Sequence, residues 1–243
     1  MNGNHGMSRR AARGFWLIGP GRAELRAEDL PGGEVLVEAC FGAISRGTEA
    51  LVFAGRVPPS EWVRMRAPSQ AGEFPFPVKY GYATVGRVLD GPAHLVGRMI
   101  FALHPHQDRF ALTEAMAVPL PPGVPPERAV LAANMETALN IVWDGGAGPG
   151  DRIAVVGAGV VGALAAWLCA RLPGAEVTLV DVNPRRADLA VALGCGFATP
   201  DRAPVDCDLV IHASGTGAGL GVALMAQAGL GLDQKPAHRR QRD

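Results

Sequence analysis

The sequence predicts an α/β protein in two parts, a β-rich N-terminal half and a C-terminal half built on a parallel sheet. Three observations carry this. Residues 13–125 hold short apolar or alternating runs separated by Gly and Pro clusters, the pattern of short strands and turns. From Asp151 onward, strand-like and helix-like segments alternate, which is the signature of parallel α/β units. Near the start of that second part, Ile153 to Ala170, "IAVVGAGVVGALAAWLCA", runs for eighteen residues without a charge and contains three glycines spaced G-x-G-x-x-G.

In the first half, "RGFWLIG", "EVLVEACFGAIS", "YATVGRVL" and "RMIFAL" read as strands. "GRVPPSEWVRMRAPSQAGEFPFPVK" carries too many prolines and glycines for a long helix. After a Pro-rich seam near 117–130, "PERAVLAANMETALNIVWDGG" reads as a helix with Pro126 near its start and Gly145 past its end. In the second half, "RIAVVGAG" is a buried strand, and "VVGALAAWLCARL" a helix stopped by Pro173-Gly174. "EVTLVDVN" is a second strand. "PRRADLAVALG" is a helix opened by Pro184 and capped by Gly194. "GFATP" is a short third strand and "DCDLVIHASG" a fourth, after which a helix runs to about Ala228.

The uncharged run is long enough to raise a membrane span. Its glycines favour a different reading: a strand, a tight turn and a helix. Parallel strands are buried on both faces and read as continuous apolar runs. In a dinucleotide-binding loop Gly157 makes the tight turn, Gly159 lets backbone approach the pyrophosphate, and Gly162 lets helix and strand pack closely. The helix start at Val160 and Val161 then offers free N–H groups to a phosphate. Asp181 ends the second strand, nineteen residues after Gly162, where a carboxylate takes the ribose hydroxyls. That acid argues for NAD over NADP, because a 2′-phosphate would meet a negative charge. Arg185 and Arg186 follow; they read as a solvated helix start or, for Arg186, as a group along the adenine face. The remaining alternative is an α/β unit that holds no ligand.

Composition limits the partners. The 243 residues carry 23 basic and 23 acidic side chains, so no net field favours nucleic acid or an anionic membrane. Only Lys79 and Lys235 are lysines. Cys40, Cys169, Cys195 and Cys207 show no C-x-x-C spacing and read as reduced, structural thiols. The N-terminus has an apolar run of only four residues, Phe15 to Ile18, too short for a secretory signal. The expectation is a cytoplasmic protein with a small-molecule substrate, without a disulfide framework, nucleic-acid partner or membrane anchor. Residues 1–12 are read as a disordered N-terminus.

"EVLVEACFGAISRGTE", "PVKYGYATVGRV", "VGRMIFAL", "ANMETALN" and the glycine loop, in this order, resemble the medium-chain dehydrogenase/reductase superfamily, the alcohol-dehydrogenase-like proteins. "AISRGTEALVFAGRVP" and "KYGYATVGRV" are similar to a zinc-lacking branch that includes bacteriochlorophyllide a dehydrogenase-like proteins. The resemblance implies a GroES-like β-barrel over 13–125 and a Rossmann domain over 126–228. It also implies hydride transfer between a nicotinamide and an alcohol or carbonyl. Cofactor contacts carried over are Gly157, Gly159, Val160, Val161, Gly162, Asp181, Arg186, Ser214 and Gly215, with Thr137 in "ANMETALN". Zinc members of the family place ligands where this chain has "ISRGTE", Gly81-Tyr82-Ala83 and "AANMET". No Cys or His stands at these places, so no zinc is expected. Ser45, Thr48, Glu49 and Tyr82 lie there instead and are the catalytic candidates; equally, Thr48 and Glu49 can cap a helix and Tyr82 can pack in the barrel. His104 and His106 in "HPHQDR" read as a loop that packs or meets substrate, sharing one face if extended, and His212 reads as a core histidine.

A Rossmann sheet needs two strands beyond "DLVIHASG", and "DQKPAHRRQRD" has no strand pattern. The sequence therefore predicts an incomplete Rossmann domain with a polar tail over 229–243, and a homodimer weakened by missing edge strands. Two functions follow: a zinc-independent NAD(P)-dependent oxidoreductase, or an inactive NAD-binding remnant.

Overall fold

A computed structural model describes residues 11–227. The chain divides into two compact units at Ala133/Asn134, later than the 125/126 boundary that the resemblance implies.

The first unit contains β1 (Ala11–Gly19), β2 (Arg22–Asp29), β3 (Val35–Gly42), α1 (Thr48–Phe53), β4 (Ala71–Gly72), β5 (Val78–Lys79), β6 (Thr84–Asp90), β7 (Met99–Ala102), β8 (Arg109–Leu112), β9 (Val118–Pro119) and α2 (Pro126–Ala129). They form two sheets, ordered β2-β1-β5-β4 and β8-β3-β6-β7-β9, with antiparallel neighbours. Alternation explains the second sheet's core: Val35 and Val37 point inward from β3 and meet Val88, Ile100 and Phe110. Ala11 and Ala12, read from sequence as disordered, belong to β1, and Ala12 is buried; residues 1–10 of that segment lie outside the described residues. Strand β2, "RAELRAED", is mostly exposed and, among the described residues, pairs only with β1, so no apolar alternation marks it.

The helix expected over 126–145 is two helices. Helix α2 ends at Ala129, and Ala129 joins Ala83, Val85 and Phe101 in a buried cluster of the first unit. The next helix, α3 (Ala132–Gly145), retains Gly145 as its last residue, and Gly146, at φ +66°, takes the left-handed position that follows a helix.

The second unit continues with β10 (Arg152–Val156), α4 (Val160–Cys169), β11 (Glu176–Val180), α5 (Ala187–Leu193), β12 (Gly196–Ala198), β13 (Leu209–His212) and α6 (Gly217–Gln227). Its sheet runs β12-β11-β10-β13, all parallel, the 3-2-1-4 order of a doubly wound sheet. Central β10 is buried from Ile153 to Val156. Helix α4 turns Gly162, Ala165, Ala166 and Cys169 inward, the i, i+3, i+4, i+7 face of an amphipathic helix. The small residues on it allow close packing against β10 and β11. The uncharged run is thus part strand and part helix, and no helix among the described residues is long and apolar enough to cross a membrane. The tail over 229–243 lies outside the described residues.

Candidate functional site

The carboxyl edge of the parallel sheet is where the chain leaves β10, β11 and β13, and there the three glycines meet three different demands. Gly157 has φ +111°, and a Cβ on it would lie 2.6 Å from the Ser214 backbone nitrogen. Gly162 is closer still to its neighbour: a Cβ there would overlap the Gly157 carbonyl oxygen, at 1.9 Å. Gly159 is the opposite case, with ordinary φ and nothing within 4 Å of its would-be Cβ. The first and third glycines are required by packing, while the second faces open space where a ligand's phosphates could approach. Gly159 is the N-cap of α4 and no side chain caps that helix, so the N–H groups of Val160, Val161 and Gly162 are left for a ligand.

Asp181 follows β11 and reaches back to the loop. One carboxylate oxygen accepts the Ala158 N–H at 2.7 Å, and the other accepts the Asn183 N–H at 2.8 Å. These two bonds fix the carboxylate beside the loop and leave each oxygen a lone pair for ribose hydroxyls. Arg186 lies in the turn just before α5 and is half-buried. Ser214 bonds His212 Nε2 at 2.7 Å and Thr216 at 3.1 Å, and Gly215 adopts φ +65°. His212 is exposed at the strand end rather than in the core, because its alternation faces outward and Ser214 satisfies it. Thr137 is an exposed residue of α3. The free N–H groups of the loop and the Asp181 carboxylate are the groups that could hold a diphosphate and a ribose.

The first unit holds a cavity of about 840 Å³ with an apolar wall that includes Phe15, Leu17, Leu25, Ile44 and Phe53. Among the four catalytic candidates, only Glu49 lines it. Its carboxylate accepts the Ser45 backbone N–H at 2.8 Å through one oxygen and meets His106 Nε2 at 2.7 Å through the other. Glu49 is the second residue of α1 and braces the segment before the helix through Ser45, but it does not cap the helix as one of the sequence alternatives had it. Thr48 is the first helical residue rather than the cap, which is Gly47. Tyr82 packs edge-on to Tyr80, ring centres 6.3 Å apart, within the cluster around Leu17 and Val78. Tyr80 lines the cavity, but its hydroxyl donates to the Met65 carbonyl at 2.7 Å, and burial pushes its pKa up to about 12.

His104 and His106 do not share a strand face; they lie in the loop after β7 and separate completely. The buried ring of His104 stacks on Phe110, centres 4.1 Å apart, and bonds the Pro105 carbonyl. Burial drops its pKa to about 4. His106, read from sequence only as part of a loop that packs or meets substrate, lines the cavity. Its partner Glu49 is 57 positions away, so no local signal could have joined them.

These two architectures, antiparallel sheets and a 3-2-1-4 parallel sheet with its glycine loop, recur together in solved proteins. An L-idonate 5-dehydrogenase from Escherichia coli superposes with a TM-score of 0.71 over 88% of this chain and 72% of its own, at 14% identity. A quinone oxidoreductase from Thermus thermophilus, solved also with NADPH, gives 0.65 over 86% and 70%, at 24% identity. The fold is the one these solved dehydrogenases and oxidoreductases share. Residues 134–201, spanning the glycine loop and Asp181, match the sequence profile of the alanine dehydrogenase/PNT C-terminal domain. A geraniol dehydrogenase of Castellaniella defragrans is 34% identical over 137 residues, 55% of this chain. The match spans 36% of that relative's length.

Proposed function

We propose that this medium-chain dehydrogenase/reductase-type chain is an NAD(P)-dependent oxidoreductase of the alcohol dehydrogenase-like type, acting without zinc on an apolar alcohol or its carbonyl product. The glycine loop carries the reading: it packs tightly at Gly157 and Gly162 and is open at Gly159. The geraniol dehydrogenase similarity and the dehydrogenase folds support it. Asp181 favours NAD, since its carboxylate would face a 2′-phosphate. The nicotinamide, when bound, supplies the hydride acceptor or donor. The donor set does not fit a catalytic zinc: Ser45 and Tyr82 stand at two of the three family ligand positions, and neither is of the Cys, His or carboxylate type. Reduction of NAD by geraniol and other primary alcohols, followed by nicotinamide absorbance, tests this. Turnover with NAD exceeding that with NADP is expected; failure with every alcohol and carbonyl would contradict it.

The second reading is a cofactor-binding module without turnover. Strand β13 favours it, because among the described residues it pairs with β10 alone. Cofactor binding with no reduction by any substrate would distinguish this reading.

A further inference from the structure

We propose that His106 takes and returns the proton of the substrate hydroxyl in this cavity, and that Glu49 is the residue that positions it. This rests on the oxidoreductase reading. A zinc-free site still has to handle the proton released when an alcohol becomes a carbonyl, and four features single out this ring.

The first is orientation. A carboxylate only accepts, so Nε2 facing Glu49 at 2.7 Å carries the hydrogen. The neutral ring then keeps its lone pair on Nδ1. The second is anchoring: both Glu49 oxygens are engaged, by Ser45 N–H and by His106. The third is space. No hydrogen bond to Nδ1 forms among the described residues, and Gly42 lies on that side with a would-be Cβ 3.6 Å from Nδ1. Gly42 and His106 line both the large cavity and an adjoining recess of about 200 Å³. Gly81, at φ +128°, supports the ring from another side; a Cβ there would come within 2.9 Å of Cδ2 and Nε2. The fourth is surroundings. The wall is apolar, and the other charged groups lining it are Arg46 and the Arg13–Asp108 pair. Lys79 lies behind Gln107 and is held by Glu28. His104 is buried against Phe110 and Tyr80 is bonded to Met65, so neither competes for the role.

In the proton step the substrate O–H bond breaks and an N–H bond forms at Nδ1. The electron pair stays on oxygen, and the imidazolium charge faces the Glu49 carboxylate. Carbonyl reduction returns the proton by the same path.

The test uses the full chain without cofactor, titrated with geraniol, 1-octanol and benzyl alcohol, and watches the His106 ring nitrogens by NMR. Saturable binding that perturbs Nδ1 is expected, with the Nε2–H tautomer in the free protein. Glu49→Gln should mix the tautomers, leave alcohol KM within about twofold and lower kcat about 100-fold. His106→Gln should lower kcat at least as far while NADH affinity is unchanged. Gly42→Val, which covers Nδ1 without touching the pair, should abolish the perturbation. No effect of any alcohol at Nδ1, or full turnover in His106→Gln, would overturn the proposal. NADH titration of the same samples separates the two readings. Absent NADH binding with alcohols seated at Nδ1 overturns the oxidoreductase reading and supports the site. NADH binding with no alcohol effect overturns the site alone.

Discussion

Gly162 and Gly159 lie three residues apart and resist substitution for unrelated reasons. Gly162→Ala forces a methyl into the Gly157 carbonyl, a backbone overlap that costs about 1–3 kcal/mol or more. Gly157→Ala adds a clash with Ser214 to left-handed strain at φ +111°, of order 1–3 kcal/mol. Both variants should unfold at lower urea concentration than the parent. Gly159→Asp meets nothing and should unfold with the parent while losing cofactor. Equal unfolding midpoints for all three would contradict this division. His104 supplies a pH prediction. Its pKa falls from an ordinary 6.5 to about 4 because burial disfavours the charged ring. The unfolded chain binds the proton more readily, so its contribution is intact above pH 6.5 and is lost as pH falls toward about 4. The loss amounts to about 3 kcal/mol. The stability gap between parent and His104→Gln should narrow by about that much between neutral pH and pH 4, read by urea unfolding. The glycine spacing and Asp181 were legible in sequence because the motif itself is compact, three glycines within six residues and an acid nineteen residues on, whatever distant groups they touch. The Glu49–His106 pair was not, since the fold alone brings α1 to the loop after β7.

Lys79 on β5 shows how elements with weak sequence signals are fastened. Its ammonium meets Glu28 of β2 at 2.5 Å and Gln107 at 2.7 Å, and the Trp16 indole of β1 also donates to Glu28. The lysine side chain is 8% exposed and Glu28 19%. Gly14 leaves room for both, since a Cβ there would lie 2.6 Å from Glu28 and 2.8 Å from Lys79. Breaking a buried pair by removing one partner costs about 3–5 kcal/mol. Lys79→Met should therefore destabilise by that order, and Lys79→Met with Glu28→Leu by less. Urea unfolding of the single and double variants decides; a double variant as unstable as the sum of both singles would refute the coupling. Strand β2 escaped the sequence reading because it is held by this pair and by β1 rather than by an apolar face. Helix α4 was legible because its Gly162, Ala165, Ala166 and Cys169 face is periodic. The break between α2 and α3 was not, because Val130 and Leu131 keep the apolar pattern running through it.

At the scale of the molecule, each unit has its own buried core: Val35, Ile100 and Phe110 in one, Ile153, Val155 and Leu179 in the other. The parallel order was readable from alternating strand and helix segments, whereas the order of the two antiparallel sheets depends on pairings between distant strands. The functional features divide along the same line, the glycine loop in the second unit and the apolar cavity in the first. The cavity's apolar wall predicts that affinity for straight-chain primary alcohols rises about fourfold per methylene until the cavity fills, which equilibrium binding across a homologous series would show. A flat series would mean that the wall does not bind substrate. The central claim, that the loop between β10 and α4 holds a nicotinamide dinucleotide, is tested most directly by calorimetric titration of the full chain with NADH and with NADPH. Saturable binding, tighter for NADH and lost in a Gly159→Asp variant of parental stability, is the predicted result. A soluble, folded chain that binds neither, or a Gly159→Asp variant that binds as well as the parent, would contradict it.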